Sequence, residues 1–182
     1  MSQINDVYIQ NFAPLSSQKV LILDRDGTLN RDSGYEHSKE NLVILPDAIE
    51  FLSKAVSLGF GLIVATNQGG AAIGKFSIDQ SLEFNAEMAA AFKDRGIVLS
   101  AAYICFHHPL SPDPQKRECS CRKPKPGMLT KVLIEYGLDK NRVFMVGDQE
   151  SDAQAAFSAG IEFWKIGEQY LWNLASSQLE VS

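Results

Sequence analysis

The stretch Lys19-Val20-Leu21-Ile22-Leu23-Asp24-Arg25-Asp26-Gly27-Thr28 decides how the rest of the chain is read. Its first half is a short run of branched aliphatic residues, the pattern of a buried strand, and the run stops at Asp24. Two carboxylates one residue apart therefore sit just past a strand end. Such a pair can divide two jobs, one attacking an electrophilic centre and the other handling the leaving group's proton. Gly27 permits a sharp backbone turn, and Thr28 is expected to hydrogen-bond within it.

Working outward, the same pattern recurs. Gly61 to Ala65 reads as a strand ending at Thr66, Ala101 to Phe106 as another, and Arg142 to Val146 as one ending at Gly147-Asp148. Ile161 to Ile166 reads as the last. Helical periodicity fills the gaps: Asp47 to Leu58 before Gly59, a helix opened by the Ser77/Gln80 capping-box pair and running to about Arg95, Pro126 to about Gly137, and a helix through Ala155 and Ala156 that ends at Gly160. Strands alternating with helices predict a parallel sheet covered on both faces. Ligands bind such sheets beyond the carboxyl ends of the strands, where Asp24, Asp26, Thr66 and Asp148 would converge.

That group suits phosphoryl transfer. A hard cation such as Mg²⁺ takes oxygen ligands and lowers the repulsion between a carboxylate and a phosphate dianion. Asp148 is the natural third oxygen source, Lys123 adds positive charge, and Thr66 offers a hydroxyl to a phosphate oxygen. Singly, each residue has an ordinary reading: a loop carboxylate, a turn threonine, a solvated lysine, a helix cap. Jointly, those readings do not predict this order along the chain.

A second cluster lies in one loop, residues 105–121. Cys105-x-His107 and Cys119-x-Cys121 use every cysteine of the chain and suit tetrahedral Zn²⁺. A closed four-ligand site of this kind is structural, and it would pin the loop that delivers Arg122 and Lys123. His108 competes with His107 as the nitrogen ligand. The plain alternative is a buried thiol at Cys105 and free surface thiols at Cys119 and Cys121.

Asp24-Arg25-Asp26-Gly27-Thr28, Thr66-Asn67-Gln68, Arg122-Lys123-Pro124 and Gly147-Asp148-x-x-x-Asp152 together resemble the ordered motifs of the haloacid dehalogenase superfamily, over roughly Lys19 to Ile166. The resemblance implies that Asp24 forms an aspartyl-phosphate, that Asp26 is general acid and base, and that Thr66 and Lys123 hold the phosphate. It also implies Mg²⁺ on Asp24, the Asp26 carbonyl and Asp148, with Asp152 behind them. Cys105-Phe106-His107-His108-Pro109 and Cys119 to Met128 are similar to the D-glycero-D-manno-heptose 1,7-bisphosphate phosphatases and the related histidinol-phosphate phosphatases. Gly34-Tyr35-x-His37 looks closer to the heptose branch, in which Arg122 is expected to contact substrate, with Asn67 and Gln68 near the site. The implied substrate is a sugar phosphate, foremost a heptose bisphosphate, with histidinol phosphate or another sugar phosphate as the alternative. Two positions depart from that branch: Ile73 and Gln149 stand where it usually carries cations, leaving fewer partners for a second phosphate.

The expected fold is therefore a three-layer, Rossmann-like α/β domain over residues 1–182, with its core at about 19–167. Only about twenty residues separate Asp26 from the next helix, too few for a separate cap domain. Substrate contacts must then come from the loops Arg31 to Glu40, Gly69 to Lys75 and His107 to Lys125. A net charge of −5 leaves no basic footprint for nucleic acid or an anionic membrane. No run is long and apolar enough to span a bilayer, and the polar start, Met1 to Gln18, has no signal-peptide pattern. The expectation is a cytoplasmic monomer.

Overall fold

The computed structural model describes residues 7–35 and 38–166. Six strands form one sheet: β1 (Tyr8–Asn11), β2 (Val20–Leu23), β3 (Gly61–Asn67), β4 (Leu99–Cys105), β5 (Val143–Gly147) and β6 (Glu162–Lys165). Four helices connect them: α1 (Pro46–Ser57), α2 (Ile78–Lys93), α3 (Gly127–Tyr136) and α4 (Glu150–Ala159). The sheet order is β1-β4-β3-β2-β5-β6, with β2 to β6 parallel.

Strand β2 shows how the sequence builds this. All four of its residues are buried, as a central parallel strand requires. Leu21 and Leu23 join the core with Ala48, Phe51, Leu52 and Ala55 of α1 and Met88 and Phe92 of α2. Val20 and Ile22 point the other way, into the core with Met128, Leu129 and Val132 of α3 and Ala155, Ala156 and Ala159 of α4. The helices therefore cover both faces, as read. Pro46 opens α1, whose buried residues form one inward stripe. The Ser77/Gln80 capping box opens α2. Gly137 and Gly160 take left-handed conformations that close α3 and α4.

One strand was not legible. β1 pairs antiparallel with β4, Tyr8 opposite Ile104, so the parallel core gains an antiparallel edge. Its four residues are exposed or half-buried, so they carry no apolar run or strict alternation. Pairing with β4, a non-local interaction, makes it a strand.

The topology positions the site. From β2 the chain steps outward through β3 to β4, then returns across β2 to β5 and β6. The crevice at that reversal opens beyond the carboxyl ends of β2 and β5. Leu23 lies beside both Val64 and Val146, and the Asp24 N–H donates to the Val146 carbonyl at 2.8 Å. Among the described residues, the helical segments in the connections above this edge are short 3-10 turns, at Lys39–Asn41, Gly69–Ile73 and Pro114–Lys116. Among the described residues no helix is long and apolar enough to cross a membrane. His37 and the segment from Glu168 to Ser182 lie outside the described residues.

Candidate active site and thiol cluster

Asp24, Asp26, Thr66, Asn67, Arg122 and Lys123 all line one cleft of about 510 Å³ at this edge. The three expected loops line it, with Asp32, Gly34 and Tyr35 from the first, Gly69 and Gly70 from the second, and His108 and Arg122 from the third. The start of α4 adds a wall those loops did not include, with Gln149, Ser151 and Asp152.

Lys123 is the centre of the charge arrangement. Its ammonium is buried and meets Asp24 Oδ1 at 2.5 Å, Asp152 Oδ1 at 2.6 Å and the Ala65 carbonyl at 2.8 Å. The contacts to Asp24 and Ala65 are hydrogen bonds, and the contact to Asp152 is an ion pair. Burial acts to discharge the lysine, but the two carboxylates outweigh it and raise its pKa. Burial also pushes Asp24 up to about 7, against the opposing pull of Lys123. Asp152 additionally accepts the Gln149 N–H at 3.1 Å, so it caps α4 while anchoring the lysine.

Asp26 has a different environment. Burial would raise its pKa, but the Arg25 charge and bonds from Arg25, Asn30 and Gln68 lower it. Gln68 Nε2 lies 2.8 Å from both Asp26 Oδ2 and Thr66 Oγ1, bridging two of the expected site residues. The Asn67 amide does not simply face the cleft, because it is bonded to the Lys123 backbone in both directions. Thr28 closes the turn through its N–H to the Arg25 carbonyl, whereas its buried Oγ1 finds no partner, unlike the expected side-chain bond.

The carboxylates fit a hard cation. Oxygens of Asp24, Asp148 and Asp152 lie within 4.8 Å of one another. Asp148 Oδ1 is buried without a partner, and burial raises the pKa of that carboxyl. An oxygen-seeking cation such as Mg²⁺ would satisfy this orphan together with the Asp24 and Asp152 oxygens. Gly27 makes room for it: at φ +83° its backbone suits glycine, and a Cβ there would lie 2.6 Å from Asp148 Oδ2.

The thiol cluster also assembles. Cys105, His107, Cys119 and Cys121 place their ligand atoms within 4.8 Å of one another, with Cys105 Sγ 3.6 Å from His107 Nδ1 and 3.7 Å from Cys119 Sγ. His108 instead faces the cleft, its Nδ1 accepting the Leu110 N–H, so geometry selects His107. Hydrogen bonding to Cys119 pushes Cys105 up to about 12, contact with Cys105 pushes Cys121 up, and bonds from both pull Cys119 down to about 2. Three thiols and an imidazole this close match the donor set of a tetrahedral cation such as Zn²⁺. The Arg122 N–H donates to Cys119 Sγ at 3.3 Å and its guanidinium to the His107 carbonyl at 3.2 Å. This loop therefore holds Arg122 over the cleft.

Two features were missed in the sequence. Arg25 grips Asp26, and polar Ser81 and Asn85 interrupt the buried stripe of α2. That interruption, among Phe84, Met88 and Phe92, was the available signal.

Comparison with known proteins agrees with this geometry. The family model for haloacid dehalogenase-like hydrolases matches residues 18–160. The chain is 41% identical over 145 residues to the D-glycero-beta-D-manno-heptose-1,7-bisphosphate 7-phosphatase of Pasteurella multocida, covering 80% of this chain and 79% of that protein. It is 38% identical over 146 residues to the Escherichia coli K12 protein of the same name, covering 80% and 76%. The crystal structure of D,D-heptose 1,7-bisphosphate phosphatase from B. bronchiseptica, complexed with magnesium and phosphate, superposes with a TM-score of 0.78. It is 29% identical, covering 90% of this chain and 99% of that one.

Proposed function

This chain belongs to the haloacid dehalogenase-like hydrolases, and from that premise we propose that it is a phosphatase removing phosphate from a heptose bisphosphate through an aspartyl-phosphate on Asp24. The observation that carries the reading is the convergence on one carboxylate. Lys123 Nζ lies 2.5 Å from Asp24 Oδ1, and Asp26, Thr66 and Arg122 line the same cleft.

Asp24 attacks phosphorus in line with the sugar oxygen, forming the Asp24 O–P bond as the P–O bond to the sugar breaks. Asp26, which Arg25 holds ionised in the resting site, receives the proton that the substrate's phosphate carries in (second pKa about 6) and passes it to the departing oxygen. It then takes a proton from the water that attacks the phosphoryl group, releasing phosphate and restoring Asp24. Thr66 and Lys123 hold the phosphoryl oxygens, and Arg122 holds the sugar side of the ester. Asp24, Asp148 and the Asp26 carbonyl would hold Mg²⁺, which would supply charge neutralisation between nucleophile and phosphate. Cys105, His107, Cys119 and Cys121 would hold a structural Zn²⁺.

The heptose assignment is supported by the relatives' substrate and by the loops that wall the cleft. The enzyme acts as a monomer in the cytoplasm, where its three cysteines stay out of disulfides and able to hold the metal. A phosphate-release screen over sugar mono- and bisphosphates, both heptose bisphosphate anomers and histidinol phosphate tests the reading. A heptose bisphosphate is expected to be the best substrate. Heptose bisphosphates no better than simple model esters, or histidinol phosphate as the best, would overturn the assignment.

A further inference from the structure

Arg25 stands between the two carboxylates of the turn, yet it is 1% exposed and takes no part in lining the cleft. It cannot touch substrate. Its guanidinium instead spans two elements. On one side Nη2 donates to Asp26 Oδ2 at 2.8 Å, and Nε lies 3.1 Å and 3.2 Å from the two Asp26 oxygens. On the other, Nη1 donates to Asn85 Oδ1 at 2.8 Å, and the guanidinium carbon lies 4.7 Å over the Phe84 ring. Phe84 and Asn85 belong to α2, a helix that contributes nothing to the cleft lining.

We propose that Arg25 is a positioning residue: anchored on Asn85 and Phe84, it fixes the Asp26 carboxylate in the orientation from which Asp26 exchanges a proton with the leaving-group oxygen. The inference rests on reading Asp26 as the acid and base. Its physical ground is the softness of the aspartate end torsion, which is broad and roughly two-fold. Asn30 Nδ2 donates to Oδ1 at 3.0 Å, and Gln68 Nε2 donates to Oδ2 at 2.8 Å. Arg25 Nε lies within hydrogen-bond reach of both oxygens, and its planar fork sets the plane of the carboxylate. Arg25 is buried while a quarter of the Asp26 side chain stays exposed, and an ion pair so placed contributes little to stability. Through Arg25, a helix remote from the substrate sets the aim of the proton donor.

The test compares two esters that need the proton differently. An alkyl ester, heptose 1,7-bisphosphate, releases a poor leaving group that must be protonated; p-nitrophenyl phosphate releases a stable phenolate that need not be. In Asp26→Asn, kcat for the alkyl ester should fall about 10³-fold and that for the aryl ester far less. In Arg25→Met the alkyl ester should lose about 10²-fold in kcat with KM little changed, while the aryl ester stays within about 3-fold. Arg25→Lys should recover part of the loss. Equal losses on both esters, or no loss on the alkyl ester, overturn the role of Arg25 if Asp26→Asn still discriminates. If Asp26→Asn does not discriminate, the acid–base reading itself falls. Should Arg25→Met fail to fold by circular dichroism, Asn85→Leu, which keeps the ion pair but removes its anchor, decides. A selective alkyl loss supports the proposal, and an unselective one or none overturns it.

Discussion

The Asn67 side chain is bonded twice to the backbone of Lys123, accepting its N–H at 3.0 Å and donating to its carbonyl at 2.9 Å. β3 thereby clamps the loop that carries the lysine, at the point where the lysine meets Asp24. Asn67→Ala leaves the Lys123 N–H without its acceptor, at a cost of about 1–3 kcal/mol. The expected outcome is a folded protein with kcat lowered about 10- to 100-fold, because the lysine loses its fixed approach to Asp24. Steady-state kinetics beside a melting curve would check this, and an unaltered kcat would contradict it.

Asp24 supplies a pH prediction with a definite sign. Its folded-state value of about 7 lies above the ordinary 3.8, so between those values the folded protein holds more protons than the unfolded chain. Metal-free stability should therefore fall as pH rises through that window. Mg²⁺ competes with the proton for the same oxygens. The rise in Tm on adding Mg²⁺ should accordingly be larger at pH 8 than at pH 5, as read by thermal unfolding. A shift independent of pH would refute the assignment of the ion to Asp24.

Gly27 is constrained twice, by its positive φ and by Asp148 Oδ2 at 2.6 Å from where a Cβ would stand. Gly27→Ala should cost about 1–2 kcal/mol from the left-handed backbone alone. It should also displace Asp148 and raise the Mg²⁺ concentration for half-maximal activity by about 10-fold or more. Metal titration of the activity measures this directly, and an unchanged titration would show that Asp148 is not a ligand.

Zinc removal should act at a distance from the chemistry. Cys119 Sγ and the His107 carbonyl both accept hydrogen bonds from Arg122. Metal analysis should find zinc in the native protein. Its removal, or Cys119→Ser, should lower Tm and raise KM for the sugar ester about 10-fold, more than it lowers kcat. A native protein without zinc, or one in which only kcat falls, would contradict this arrangement.

These residues also show where sequence reasoning reaches and where it stops. Strand ends were legible because an apolar run that stops at Asp24 or at Gly147-Asp148 is a local signal. Local, too, is the crowding of every cysteine into residues 105–121. The Arg25–Asn85 contact joins residues sixty apart, and the Asn67–Lys123 clamp joins residues fifty-six apart. Neither leaves a periodic trace. Asp152 could be read as a helix cap or as part of the site, and the structure shows it capping α4 and binding Lys123 at once. β1 stayed hidden because an edge strand needs pairing more than it needs an apolar pattern.

The central claim is that Asp24 carries the phosphoryl group during turnover. Acid quenching of the enzyme with its sugar phosphate in excess, followed by peptide mass spectrometry, tests it most directly. The account predicts a phosphoryl adduct on the peptide containing Asp24, and in Asp24→Asn neither adduct nor phosphate release above about 10⁻³ of the native rate. An adduct on another residue, or an Asp24→Asn protein that still releases phosphate at the native rate, would contradict it.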